Sequence, residues 1–448
     1  MNKLLRSVLI FSVVLIVLSA AFFLSCFTTL DESPYEASEF YKKELAEINT
    51  LHPIADSGTV QAGWARASLV PPFGTPIAID DQRGGKHFEG VHDTVYVRAF
   101  VFKSGNKKVA FVSADLLIVP PAVSALLDSS MQAEGYSSSN LFYSATHAHS
   151  SIGAWQNSFV GEKFAGKYDE RVPAFIAGQF KQAILEAEKN TAPVKIGFAA
   201  VPTQKLVFNR LVGDSGEVDS LLRIVKLVKD NGEEAAIVTF AAHATVYHQG
   251  MMQLSGDWPS LMMQKLQSAG HFYSFSAGAV GSQGPYPFSQ VQEDELNYMA
   301  QQVSALVKQY VDSMPVAPLA QLEMHHLPLY LREPNLRMAP KTVVRPWLFY
   351  KLFGNYPAHV NLLQLNRVVF VGMPCDFSGE LVNEIDAAGQ LYGLQPVVTG
   401  FNGAYIGYIT DDKWYGLNTY ETRLMGWFGP GNGSYLSEVA IKSLEKLK

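Results

Sequence analysis

The chain of 448 residues contains only two cysteines, Cys26 and Cys375. Cys26 lies inside an N-terminal apolar run, so no disulfide framework is available and stability must come from core packing. Cys375 reads as a small buried hydrophobe. Positive charge is also scarce: 35 Lys and Arg stand against 41 Asp and Glu, a formal net charge of −6. No Lys/Arg-rich run and no RNA-binding signature occurs, which excludes nucleic acid as a partner. A G-x-S-x-G elbow is absent, so the serine-nucleophile route of the α/β-hydrolases has no foothold. From residue 61 onward there is no repeat, linker or low-complexity tract.

Charge is missing altogether from one long stretch. VLIFSVVLIVLSAAFFLSCF, residues 8–27, carries none, and the next charged residue is Asp31. Twenty such residues at 1.5 Å rise span a hydrocarbon core of about 30 Å. Lys3 and Arg6 precede the run, which predicts a cytoplasmic start and an exported remainder, periplasmic or extracellular. Residues 1–30 are therefore a signal anchor or a cleaved signal peptide, with Ser19 and Ala21 as the small residues of a cut site; cleavage would make the protein secreted. Lipoprotein processing at Cys26 fits poorly, because Phe23-Leu24-Ser25 is not a small-residue approach. Residues 31–60 are polar and read as a stalk, leaving 61–448 as the folded domain.

Within 61–448, strand-like and amphipathic segments interleave. TVYVRAFVF (94–102) and KKVAFVSADLL (107–117) read as strands joined by a Ser-Gly-Asn turn. PAFIAGQFKQAILEAEKN (173–190) places Phe175, Ile176, Phe180, Ile184 and Leu185 at helical spacing, followed by the strand VKIGFA. SLLRIVKLV and EEAAIVTFAAHA flank an Asp230-Asn231-Gly232 turn, 293–314 reads as a long helix, and RVVFVGMP and QPVVTGFN are strands. Such interleaving predicts one large mixed α/β domain with sheets flanked by helices.

Polar residues gather where the strands end, which is where α/β folds usually carry their sites. ATHAHSS holds His147 and His149, whose i, i+2 spacing points both rings to one side of an extended chain. Chance supplies about one such pair in every four chains of this composition, so the pair needs partners to carry meaning. TFAAHATVYHQG holds His243 and His248, with Asp257 downstream; VGMPCDFSGE holds Asp376 and Glu380; NGAYIGYITDDKWY holds Tyr405, Tyr408 and Tyr415. Two histidines and a carboxylate from separate strands suit zinc with one position left for water. Each also has an ordinary explanation: His243 as a satisfied core histidine, Asp257 as a helix N-cap before Trp258-Pro259, Tyr408 as a rim aromatic. Asp376 is hardest to explain away, since a carboxylate directly after a buried strand needs compensation.

These segments, taken in order, resemble the catalytic domain of the neutral/alkaline non-lysosomal ceramidases. AGWARASLVPPFGTPIA with the paired strands after it is similar to that family's opening, and ATHAHSSIG to its A-T-H-T-H-S-G-P-G segment. VFNR at 207–210 resembles its I-N-R segment, FAAHATVYHQGMMQLSGD its second-histidine stretch, and GMPCDFSGE its P-G-E-F-T-T turn. AYIGYITDDKWYGLNTYETRLMGWFGPG is similar to its Y-x-x-Y-I-T-T stretch. The matches run over about residues 62–430.

The resemblance implies zinc held by His147, His243, Asp376 and Tyr408, with His149 as the histidine that moves protons and Arg210 and Tyr420 facing the scissile amide. It implies a zinc-dependent amide hydrolase on ceramide or a related N-acyl lipid; a zinc amidase or esterase on another acyl conjugate, and a membrane-anchored binding protein without metal, are the alternatives. Three departures stand out. Asp376 replaces a glutamate, so either the strand approaches closer or Glu380 substitutes; order favours Asp376, and both carboxylates reach the cleft if a helix begins at Phe377. Ser282 in GAVGSQGPYP stands where an aspartate is expected. The sequence ends soon after the Gly-Pro motif, so the family's immunoglobulin-like domain is expected to be missing.

Overall fold

In the computed structural model the described residues are 3–54, 57–79, 83–203, 205–247, 250–267 and 271–448. His248 lies outside them. A large sheet is built from β1 (Gln61–Ser68), β2 (Tyr96–Ser104), β3 (Lys107–Ala114), β4 (Leu141–Ala145), β5 (Ala192–Pro202), β6 (Leu221–Lys229), β7 (Glu234–Phe240) and β8 (Phe272–Ala277). Their order is β8-β7-β6-β5-β1-β2-β3-β4, with the short strand Ala317–Pro318 added to β5. A second sheet contains β9 (Leu322–Pro328), β10 (His359–Leu365), β11 (Val368–Gly372) and β12 (Gln395–Thr399) in sequential order. The expectation of one mixed α/β domain is met.

Side-chain alternation explains how the large sheet is covered on both faces. Along β2, Val97, Ala99 and Val101 point to one core, and Phe100 and Phe102 to another. Strand β3 repeats this with Ala110 and Val112 against Val109 and Phe111, and β4 with Leu141 and Tyr143 against Phe142. The small-residue face receives the helix Arg171–Lys189, which buries Ile176, Phe180 and Ile184 at the predicted spacing. The aromatic face receives the second sheet, where the Phe370 ring lies 5.1 Å from Phe111 and 6.1 Å from Phe142. A sheet buried on both faces shows the near-continuous apolar runs seen in its strands.

Within these two sheets most neighbouring strands are antiparallel, but three pairs are parallel: β3 with β4, β7 with β8, and β11 with β12. Parallel partners end on the same side, so each pair delivers two C-terminal loops to one place. Hydrogen bonds bring the three together: Gly278 N donates to Phe240 O (3.1 Å), Gly400 N to Ala277 O (3.0 Å) and Ser144 Oγ to Gly400 O (3.3 Å).

Two expectations need correction. Residues 31–60 do not form a stalk. The helix Glu39–Ile48 packs against the C-terminal helix Asn432–Leu447, and Ile48 and Leu51 are buried. Buried Glu44 accepts hydrogen bonds from Tyr330 N (2.9 Å) and the Tyr435 hydroxyl (3.2 Å). Polar composition hid the amphipathic face of this helix, which places Phe40 against Tyr435. Nor does a helix begin at Phe377: a short strand, Asp376–Phe377, is followed by a tight turn at Gly379–Leu381 and only then by the helix Val382–Tyr392.

Replacing Phe370 by alanine tests the seam between the sheets. The change is expected to cost about 3–5 kcal/mol, as for other buried aromatic truncations. Urea denaturation reads it directly, and a loss below about 1 kcal/mol contradicts the packing described.

Candidate metal centre and active site

The site starts at the end of β4. His147 sits two residues past Ala145 with φ +62, a left-handed backbone that non-glycine residues adopt at a cost of about 1–3 kcal/mol. Phe401, after β12, shares this conformation (φ +67), and its ring stacks on the His147 imidazole at 4.2 Å. The His147 Nδ1 lies 2.6 Å from Leu117 O, and the His243 Nδ1 lies 2.8 Å from Gln283 O. A carbonyl only accepts, so both Nδ1 atoms carry a proton and both Nε2 atoms are turned toward the cluster. This is the arrangement that orients metal-binding imidazoles.

Both Nε2 atoms point at Asp376. Oδ1 of Asp376 lies 3.3 Å from Nε2 of His147 and 3.6 Å from Nε2 of His243, while Oδ2 accepts from the Tyr405 hydroxyl at 2.7 Å. His149 adds its Nε2 at 3.3 Å from that of His147. Nε2 of His243 and Oδ1 of Asp376 are buried without any hydrogen-bond partner among the described residues. Four-coordinate zinc with ligands at about 2.0–2.1 Å sets ligand atoms about 3.3–3.4 Å apart. The observed separations fit that spacing, and His147, His149 and His243 together can hold a metal ion.

The other carboxylates have different work. Glu380 is engaged by Trp414 Nε1 (3.0 Å) and Lys413 Nζ (3.6 Å), away from the histidines. Asp257 opens the helix Asp257–Gln267 and accepts from the backbone N–H groups of Val246, Tyr247 and Trp258 at 2.8–3.2 Å. It thereby ties down the loop after His243, and burial pushes its carboxyl up to about 6. Ser282 is buried beside the site and accepts from Ser378 Oγ at 2.7 Å. Its neighbour Gly281 leaves no room for a side chain, since a Cβ there would stand 2.4 Å from Asp376 O.

Arg210, Tyr408 and Tyr420 line the cavity above the cluster. Tyr408 pairs in register with Asp376, and its hydroxyl accepts from Arg210 Nη2 at 3.0 Å. Arg210 Nε stands 3.6 Å from Glu421. Burial opposes the charge on Arg210, but Tyr408, Glu421 and Asp376 raise its pKa above the ordinary value. Burial, then the Asp376 charge, pushes the Tyr405 and Tyr408 hydroxyls well above theirs. Burial also holds His149 and His243 well below the usual histidine range, assisted by neighbouring cations. The cavity holds about 370 Å³, within the ordinary range for a ligand pocket. Its outer walls are apolar, from Ile118, Val160, Phe164, Phe353, Met425 and Trp427.

Residues 82–212 match the family model described as neutral/alkaline non-lysosomal ceramidase, N-terminal. The solved neutral ceramidase from Pseudomonas aeruginosa superposes with a TM-score of 0.75 at 16% identity, covering 86% of this chain and 74% of that one. The chain has the neutral ceramidase fold. A second structure, a ceramidase complexed with C2, gives a TM-score of 0.73 at 16% identity, covering 87% of this chain and 76% of that one. No curated protein sequence matches. The resemblance read from the sequence is thus borne out, and His147, His149 and Arg210 fall inside the matched ceramidase segment. Sequence reading missed Gln283, whose amide holds Ala241 O and Asp219 O while its carbonyl orients His243. It also missed Phe401, which no motif marks, and gave no role to Glu421, although the Tyr420-Glu421 pair lies in the resembling stretch.

Two outcomes follow. With zinc as the probe, Asp376→Ala should weaken metal binding at least 100-fold by calorimetry, whereas Glu380→Ala should leave it within about threefold; a reversal would reassign the carboxylate ligand. The second concerns pH. The unfolded chain takes up protons below about pH 6.5 that the desolvated His149 and His243 rings refuse, so stability of the metal-free protein is full above that value and falls as pH drops. Each histidine contributes up to about 1.4 kcal/mol per pH unit. Urea midpoints at pH 7 and 5.5 should show a smaller fall for His149→Gln/His243→Gln than for the parent; equal falls contradict this.

Proposed function

We propose that this chain is a zinc-dependent amidase that cleaves the N-acyl bond of ceramide or a related N-acyl lipid. The observation that carries the reading is the pair of unpartnered buried atoms, His243 Nε2 and Asp376 Oδ1, at the floor of an apolar-walled cavity. Leaving such atoms unsatisfied costs about 1–3 kcal/mol each, a cost that a bound cation removes. His147, His243 and Asp376, with Tyr408 beside them, would hold the ion. Bound zinc supplies a water ionised near neutral pH and a Lewis acid for the carbonyl.

The protein's own groups account for the remaining needs. Arg210 keeps its charge and, with the Tyr420 hydroxyl, faces the position of the carbonyl oxygen; one such donor contributes roughly 3–4 kcal/mol. His149 is neutral and half-buried on the cavity wall, able to take a proton from the attacking water and return it to the leaving amine. The apolar walls favour an acyl chain over a polar conjugate. Asp376 is one methylene shorter than the glutamate of the family pattern, and the parallel pairing of Asp376–Phe377 with Tyr408–Ile409 supports a backbone close enough for the shorter ligand.

Elemental analysis and turnover of an N-acyl sphingoid substrate test this together. The parent should carry one zinc per chain. His147→Ala should lose the metal, whereas His149→Ala should keep it and lose at least 100-fold in kcat. No zinc uptake with no restored activity would sink the proposal. Activity confined to other acyl conjugates would leave the chemistry standing and replace the substrate.

A further inference from the structure

The N-terminal helix Lys3–Cys26 ends directly on the domain rather than on a tether. Arg345 N donates to Cys26 O (2.8 Å), Arg345 Nε to Leu24 O (3.0 Å) and Trp347 Nε1 to Ser25 O (2.7 Å). The next three residues, Phe27–Thr29, pair with Thr342–Val344. The apolar span Leu5–Cys26 has 22 residues, about 33 Å of helix, so a bilayer that accepts it would have its surface near Cys26. No slack then separates the elements around Cys26 from the headgroups.

Those elements form the cavity mouth. The helix Pro346–Phe353 presents Trp347, 49% exposed, beside the membrane span and Phe353 to the cavity wall. The segment Phe159–Ala165 packs on that helix, turning Phe159 outward (62% exposed) while Val160 and Phe164 face the cavity. On the other side, Thr342–Val344 pairs with Arg337–Ala339, which exposes Met338. Arg423 Nη2 bonds Met338 O at 2.7 Å, joining this strand to Tyr420–Leu424, where Leu424 is exposed and Tyr420 lines the cavity. Eleven large apolar side chains are exposed on the described domain beyond the N-terminal helix, and five of them lie on this face: Phe159, Met338, Trp347, Tyr420 and Leu424. A concentration of this kind marks a contact surface, and a tryptophan at the end of a membrane span suits the interfacial zone.

We propose that this face rests on the phospholipid bilayer and opens the cavity toward the headgroup zone, so that an N-acyl lipid enters from the leaflet without crossing water. The entry of substrate rests on the function proposed above; the surface itself does not. The occupant is a bilayer rather than a second protein copy, because the face is continuous with the end of the span and is carried on the same segments as the cavity.

The test uses the full chain in phosphatidylcholine nanodiscs. Cys26 and Cys375 are buried, so single variants Phe159→Cys, Leu424→Cys and Leu391→Cys can be labelled with an environment-sensitive fluorophore. Leu391, 80% exposed on the helix Val382–Tyr392, is the control. Lipids bearing a nitroxide near the headgroup should quench the label at 159 and 424 at least twofold and leave 391 unchanged. Equal quenching at all three positions, or none at 159 and 424, overturns the surface, as does environmental change that depends on protein density and not on the nitroxide lipid. Phe159→Asp/Leu424→Asp should raise KM about 10-fold for a long-chain N-acyl lipid presented in vesicles while leaving KM and kcat for a short-chain soluble amide unchanged; equal effects on both substrates overturn entry from the leaflet. Quenching as expected with no hydrolysis of any N-acyl lipid supports the surface and defeats only the functional proposal.

Discussion

Nε2 of His243 and Oδ1 of Asp376 meet 3.6 Å apart, both buried and neither hydrogen-bonded among the described residues. A folded chain rarely tolerates this, because each unsatisfied group forfeits its hydration without replacement. Much of the surrounding architecture holds these atoms against that cost. The Nδ1 contacts to Leu117 O and Gln283 O fix both imidazoles, Tyr405 holds the second Asp376 oxygen, and Phe401 covers His147. Relaxation into self-satisfied hydrogen bonds is thereby prevented, and the lone pairs remain aimed at a common point.

That fixation is possible because the contributing loops leave three parallel strand pairs at their C-terminal ends. An antiparallel sheet alone would send alternate loops to opposite ends and scatter the same residues. The crossovers bring His147 and His243 within 3.3 and 3.6 Å of Asp376, although the three residues lie far apart in the sequence. Packing of the second sheet on the aromatic face of the first brings β11, and with it Asp376, to the histidines. Core and site are mechanically one object here: the seam of Phe111, Phe142 and Phe370 sets the distance at which the carboxylate meets the imidazoles.

Much of this was legible beforehand. Helical and strand periods located the principal elements to within a few residues, since burial on one or two faces leaves a pattern of 3.6 or 2 in the sequence. His147, His149, His243, Asp376, Arg210, Tyr408 and Tyr420 were all named from strand ends and ordered motifs, and the fold brings them to one cavity or its floor. Residues 31–60 were misread because a half-buried helix with a polar outer face has the composition of a linker. Phe401 and Gln283 were invisible, since an aromatic and an amide near strand ends carry no signal of what they will touch.

The sequence by itself determined which segments fold as strands and helices, that no disulfide framework or basic surface takes part, and which side chains have the chemistry to bind a metal. Only the tertiary structure decided that Asp376 rather than Glu380 approaches the histidines, because the short strand Asp376–Phe377 and the turn after it send the two carboxylates in different directions. It alone decided that Asp257 ties down the loop after His243, and that the strand following the N-terminal apolar helix pairs with Thr342–Val344. The physical reason is common to all three. Local pattern records how each residue is buried relative to its neighbours in the chain, whereas partners distant in sequence are chosen by how the sheets pack.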